Sequence, residues 1–106
     1  MPKFLIEASY TAEGIKGLTK DKASGRRSAV EKALTAAGGK LEAFYYAFGD
    51  TDAFVLCDFP DTVSAASLSI AVAAAGLVKI KTTPLLTIEE MDKALGKSVT
   101  YRAPGT

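Results

Sequence analysis

Apolar residues come in short runs divided by glycine, proline and charged stretches, and their spacing changes from run to run. Lys3 to Tyr10 holds Phe4, Leu5, Ile6 and Tyr10, a composition that predicts a first strand ending at Thr11. From about Asp21 to Ala37 the positions Ala23, Val30, Ala33, Leu34 and Ala37 form the apolar stripe of a helix, and Gly38-Gly39 supplies its stop. Before it, Thr11-Ala12-Glu13-Gly14 offers a weak helical turn, because Gly14 and Gly17 disfavour helix. Lys40 to Ala47 and Ala53 to Phe59 are rich in β-formers on either side of Phe48-Gly49-Asp50-Thr51, which predicts a hairpin. Pro60-Asp61-Thr62 provides a turn and an N-cap for an alanine-rich helix reaching about Ala75, with Gly76 as its stop. Val78 to Thr83 alternates apolar and lysine side chains as a half-exposed strand does. Thr87-Ile88-Glu89-Glu90 fits a capping box, so a short amphipathic helix is expected over Ile88 to Leu95 with Met91 and Leu95 turned inward.

The order β-α-β-β-α-β predicts an α+β, ferredoxin-like sandwich: an antiparallel sheet with both main helices on one face, followed by a short C-terminal helix. A single domain is expected over residues 1–96, with 97–106 as a loosely ordered C-terminal tail. The predicted hairpin is apolar or aromatic in both phases, with Leu41, Ala43 and Tyr45 in one and Phe44, Tyr46 and Phe48 in the other. One layer of helices covers one face only, so a second copy of the chain is the expected cover for the other, giving a homodimer or higher oligomer. The competing expectation folds the terminal helix and tail over that face.

Composition narrows the chemistry. The 13 basic and 12 acidic side chains leave a net charge of +1, too little for a general attraction to nucleic acid or an anionic membrane. The chain has no histidine and one cysteine, Cys57, which removes histidine-based catalysis, multi-cysteine metal sites and internal disulfides from consideration. Thr62 to Val78 is uncharged, but it is short and mostly alanine, whereas a membrane span needs about 20 strongly apolar residues. The opening Met1-Pro2-Lys3-Phe4 lacks the features of a secretory signal, and the expected location is the cytoplasm.

Candidate ligand-binding residues are Tyr10, Arg26, Arg27, Tyr45 and Tyr46. A guanidinium beside an inward helical stripe reaches a carboxylate or phosphate in a helix-sheet cleft, although paired arginines at a helix edge also serve simply as solvated charges. Tyrosine rings can line a pocket and their hydroxyls orient a planar ligand, but Tyr45 and Tyr46 must point to opposite faces. The aspartates Asp50, Asp52, Asp58 and Asp61 do not have the spacing of a calcium loop, so no metal is expected. Cys57 alternates with Val55 and Phe59 and reads as a small buried hydrophobe.

The stretch Phe44 to Leu56, with the turn Gly49, Asp50, Thr51 and Asp52 at its centre, resembles the signature of the GYD domain family, named for a Gly, Tyr, Asp pattern at this hairpin. Gly38-Gly39-Lys40, the turn Phe59-Pro60-Asp61 and the alanine-rich helix ending in Gly76 extend the likeness over roughly residues 3 to 90. Thr51 stands where the family has its tyrosine, while Gly49 and Asp52 keep the turn. The resemblance implies small bacterial proteins with a ferredoxin-like subunit that pair into a dimeric α/β barrel, and it attaches no reaction to them. The leading functional expectation is therefore a cofactor-free, homo-oligomeric domain that binds a small anionic or aromatic molecule between helices and sheet. The alternatives are a cofactor-independent enzyme of monooxygenase or isomerase type on such a barrel, and a structural or regulatory interaction module.

Overall fold

The computed structural model describes residues 1–106. It is an α+β chain with strands β1 (Lys3–Tyr10), β2 (Lys40–Tyr46), β3 (Ala53–Asp58) and β4 (Val78–Leu85), and helices α1 (Ala12–Ala36), α2 (Thr62–Ala75) and α3 (Ile88–Leu95). The four strands form one antiparallel sheet in the order β2-β3-β1-β4. Strand alternation sorts the side chains. Phe4, Ile6 and Ala8 of β1 and Ala53, Val55 and Cys57 of β3 face the helices and are buried. With Phe59, Leu34 of α1 and Ala65 of α2 they make the core, in which Phe4 and Phe59 meet edge to face at 5.5 Å. Such an aromatic pair adds about 1 kcal/mol beyond the area it buries.

The opposite face of the sheet has no covering layer. Leu5, Phe54, Leu56, Ala43 and Tyr45 form an apolar band across it, and Tyr45 is 71% exposed. An irregularity in the β2 and β3 pairing between Leu41 and Ala43 leaves Glu42 unpaired in the ladder. Its carboxylate accepts a hydrogen bond from the Lys3 ammonium at 2.6 Å, and Lys3 also donates to Asp58 at 3.0 Å, so three strands are tied together at one corner.

The first helix begins nine residues before the expected Asp21. Thr11 explains the early start: its hydroxyl accepts from the Gly14 N–H, while its own N–H and hydroxyl both donate to the Leu77 carbonyl at 3.0 Å. Gly14 is required by packing, since a Cβ there would lie 2.1 Å from the Leu77 oxygen. The two halves of α1 meet at Lys22, which is non-helical with φ 67° and ψ 164°. Beside that break, Ala23 is exposed rather than part of the inward stripe, which instead rests on Leu34 with Val30 and Ala37.

Helix α2 keeps its expected limits. The Asp61 carboxylate accepts from the Ser64 N–H at 2.8 Å, and these hydrogen bonds hold it below the usual aspartate range. Gly76 closes the helix in the left-handed conformation at φ 74°. Only one side of α2 packs on the sheet. Ala65 is buried and Leu68, Ser69 and Val72 are half-buried, while Val63 and Ile70 are 76% and 69% exposed.

Helix α3 forms over Ile88–Leu95 with its capping box complete, Thr87 and Glu90 exchanging side-chain and backbone hydrogen bonds. Its apolar face does not turn inward. Ile88, Met91 and Leu95 are all exposed, and the helix buries no residue. The reason is the path of the chain: β4 ends at Leu85, and everything from Leu86 onward lies at the surface, away from both the core and the open sheet face. The resulting arm makes the molecule long, 55 × 32 × 24 Å, with a radius of gyration of 16.7 Å against about 13 Å for a compact chain of this length. No helix is long and apolar enough to cross a membrane.

Candidate functional site

Where α1 and α2 diverge above the sheet they leave a cleft. Its inner chamber has a volume of about 300 Å³. Ile6 and Ala8 from β1, Val55 from β3 and Ile80 from β4 make the floor. Ala29, Val30 and Ala33 of α1 form one wall, Leu68 and Val72 of α2 the other, and the Phe44 ring closes an end. An outer chamber of about 320 Å³ continues it toward solvent between the N-terminal half of α1 and the end of α2, past Gly17, Leu18, Asp21, Ala71 and Ala75. Small side chains on both helices keep this space open. Any larger residue at Ala29, Ala33 or Ala71 would project into it.

Two polar side chains line both chambers, Arg26 and Tyr10. Arg26 lies one helical turn before Val30 and shares its face of α1, so the 3.6-residue period aims it at the cleft. It is half-buried, whereas Arg27, one position on, is exposed on the outside. Arg26 has no acidic partner: the ion pairs of the chain join Lys3 to Glu42 and Asp58, and Lys16 to Glu13. Asp21 borders only the outer chamber and makes no ion pair with it.

Tyr10 is fixed from below by the hairpin turn. The Asp52 carboxylate accepts the Tyr10 N–H at 2.8 Å, the Asp52 N–H donates to the Ala8 carbonyl at 2.8 Å, and the Ser9 hydroxyl donates to the Asp50 carbonyl at 2.9 Å. Gly49, at φ 131°, lets the turn fold back far enough to do this. The turn residues Gly49, Asp50 and Asp52 thus act on the site indirectly, by seating the end of β1.

Tyr46 shares the helix-facing side of β2 with Phe44, their rings 5.0 Å apart. Tyr46 is 38% exposed; partial desolvation first, and then the neighbouring Tyr10 phenol, push its own phenol above the ordinary tyrosine range, while the Arg26 charge pulls the other way. The phenol is therefore a proton holder and a hydrogen-bond donor at neutral pH. Tyr45 points to the open face and takes no part.

Of the five expected ligand residues, Tyr10 and Arg26 line the cleft, Tyr46 sits behind Phe44 on the same side of the sheet without lining either chamber, and Arg27 and Tyr45 lie away from it. The apolar walls from α2, Leu68 and Val72, were absent from the expected set. The signal for them was their spacing, one turn apart on an otherwise small-residue helix. Cys57 is fully buried, and burial raises its thiol pKa to about 11, so it is a core side chain. The aspartates are employed separately, Asp52 on the β1 backbone, Asp58 on Lys3 and Asp61 as a cap.

A family model described as the GYD domain matches residues 4–95. No curated protein and no solved structure matches the chain.

Proposed function

The chain belongs to the GYD domain family, and from that premise we propose that it is a homo-oligomeric domain that binds a small molecule in the cleft between its helices and its sheet. The observation that carries the reading is the inner chamber of about 300 Å³, lined by apolar side chains apart from Arg26 and the Tyr10 phenol. A chamber of this size and lining matches the lower end of the range for small-ligand sites, which are mostly apolar with a few converging polar groups.

The oligomer is supported by the uncovered face of the sheet. The core is small for so apolar a chain, with 10 of 106 residues buried. We take the element order and the strand order β2-β3-β1-β4 as ferredoxin-like, and the band Leu5, Phe54, Leu56 and Tyr45 as the surface on which two such subunits close a barrel. Each large apolar side chain fully covered there contributes about 1.5–3 kcal/mol.

Two measurements test the proposal. Methyl NMR spectra recorded with a panel of small aromatic and aliphatic fragments should shift Val30, Leu68 and Val72 together; shifts confined to surface methyls would refute a cleft. Sedimentation should give a dimer at micromolar concentration that Leu56→Lys converts to monomer, and a wild-type monomer would remove the oligomeric part.

A further inference from the structure

We infer that the occupant of the cleft is a small apolar carboxylate, its head at Arg26 and the Tyr10 phenol and its body in the inner chamber; the inference rests on the cleft being a ligand site. Arg26 is a half-buried cation with no ion pair, bordering a chamber whose other lining residues carry no charge. A guanidinium at the opening of an apolar cavity, without an acidic partner, keeps its parallel N–H groups available to an anion placed in the cavity.

The donor set selects among anions. A guanidinium offers two parallel N–H groups to a carboxylate, and the phenol of Tyr10, which lines both chambers with Arg26, adds a neutral donor. No second cationic side chain lines either chamber, so Arg26 is the one full positive charge at the opening. One positive charge balances a carboxylate and leaves a dianionic phosphate ester half compensated.

The body is set by shape. Phe44 and Tyr10 contribute rings to the lining and the walls are alanine, valine and Leu68, so the space suits an apolar, aromatic-sized body rather than a sugar. The polar groups a sugar or nucleoside would need beyond its head are absent from the lining.

The experiment compares isosteres on the wild-type protein by calorimetry and methyl NMR: 2-naphthoate, 2-naphthamide and 2-naphthyl phosphate. The carboxylate should bind about ten- to a hundredfold more tightly than the amide. Arg26→Gln should remove that preference while Arg27→Gln keeps it, and the two variants should retain the wild-type far-ultraviolet spectrum and melting temperature. Equal binding of amide and carboxylate would overturn the charge assignment and leave the cleft standing as a ligand site. Tighter binding of the phosphate ester would overturn the carboxylate in favour of a phosphate head. Failure of all three to shift Val30 and Leu68 would overturn the cleft itself.

Discussion

At the scale of the residue, two side chains hold conformations or charges that the surroundings oppose. Lys22 sits at φ 67° and ψ 164°, a region that glycine enters freely and other residues enter at a cost of about 1–3 kcal/mol. Lys22→Gly removes that strain and gives back part of it as unfolded-chain entropy. The variant should be more stable by about 1 kcal/mol in urea unfolding, and a loss of stability would mean the backbone there is not strained. Cys57 titrates near 9.0 when unfolded and near 11 when folded, because burial disfavours its thiolate. Below pH 9 both states keep the proton and the difference is silent. Between pH 9 and 11 the unfolded chain ionises first, so stability falls, by on the order of 2 kcal/mol. Lys3, raised above its ordinary value by Glu42 and Asp58, loses stability in the same direction at still higher pH. Cys57→Ala retains the Lys3 contribution, so its unfolding free energy should decline less steeply over that window than the wild type's; parallel declines would place the thiol outside the core. Neither feature is symmetric in legibility. Burial of Cys57 follows from alternation with Val55 and Phe59, whereas nothing about a lysine in a charged stretch announces a broken helix.

At the scale of the element, boundaries marked by caps were readable and those set by packing were not. Asp61, Gly76 and the Thr87-to-Glu90 box act through hydrogen bonds a few residues long, so α2 and α3 begin and end where local chemistry puts them. The N-terminal half of α1 is different. Gly14 and Gly17 argue against helix locally, yet Gly14 is what allows α1 to approach the Leu77 carbonyl, sixty-odd residues away in sequence and tied to Thr11. Tertiary contact overrides propensity there. Gly14→Ala, which would raise helix propensity in an isolated peptide, should instead destabilise the protein by about 2–4 kcal/mol, because its methyl meets backbone oxygen. Gly17→Ala has open space and should be neutral or stabilising. Equal effects at the two glycines in thermal melts would dismiss the packing account. The candidate site shows the same division: the period of α1 points to Arg26 with Val30, but only the fold brings Tyr10, pinned by Asp52, to the same opening.

At the scale of the whole molecule, the elongated shape comes from an arm whose helix is amphipathic yet buries no residue against its own body. The sequence shows the amphipathic face of Ile88, Met91 and Leu95 clearly; it cannot show which surface meets that face, because the spacing that defines an inward side is the same for an intramolecular and an intermolecular partner. Helices shorter than about 12 residues are marginal in water without tertiary support. The eight residues of α3 have a capping box to start them and no packing to hold them. Their helical fraction is thus an equilibrium whose position is set from outside the subunit, and by linkage whatever surface accepts the face is credited with the free energy of ordering it. Amide exchange should accordingly divide the chain in two: β1 and β3 slow at every protein concentration, residues 88–95 fast when dilute and slower as concentration rises if another copy receives them. Protection of 88–95 that matches the core in dilute solution would contradict the free arm. On that expectation the terminal helix is less a fixed part of the fold than a gauge of occupancy, its order rising as a partner surface accepts its apolar face.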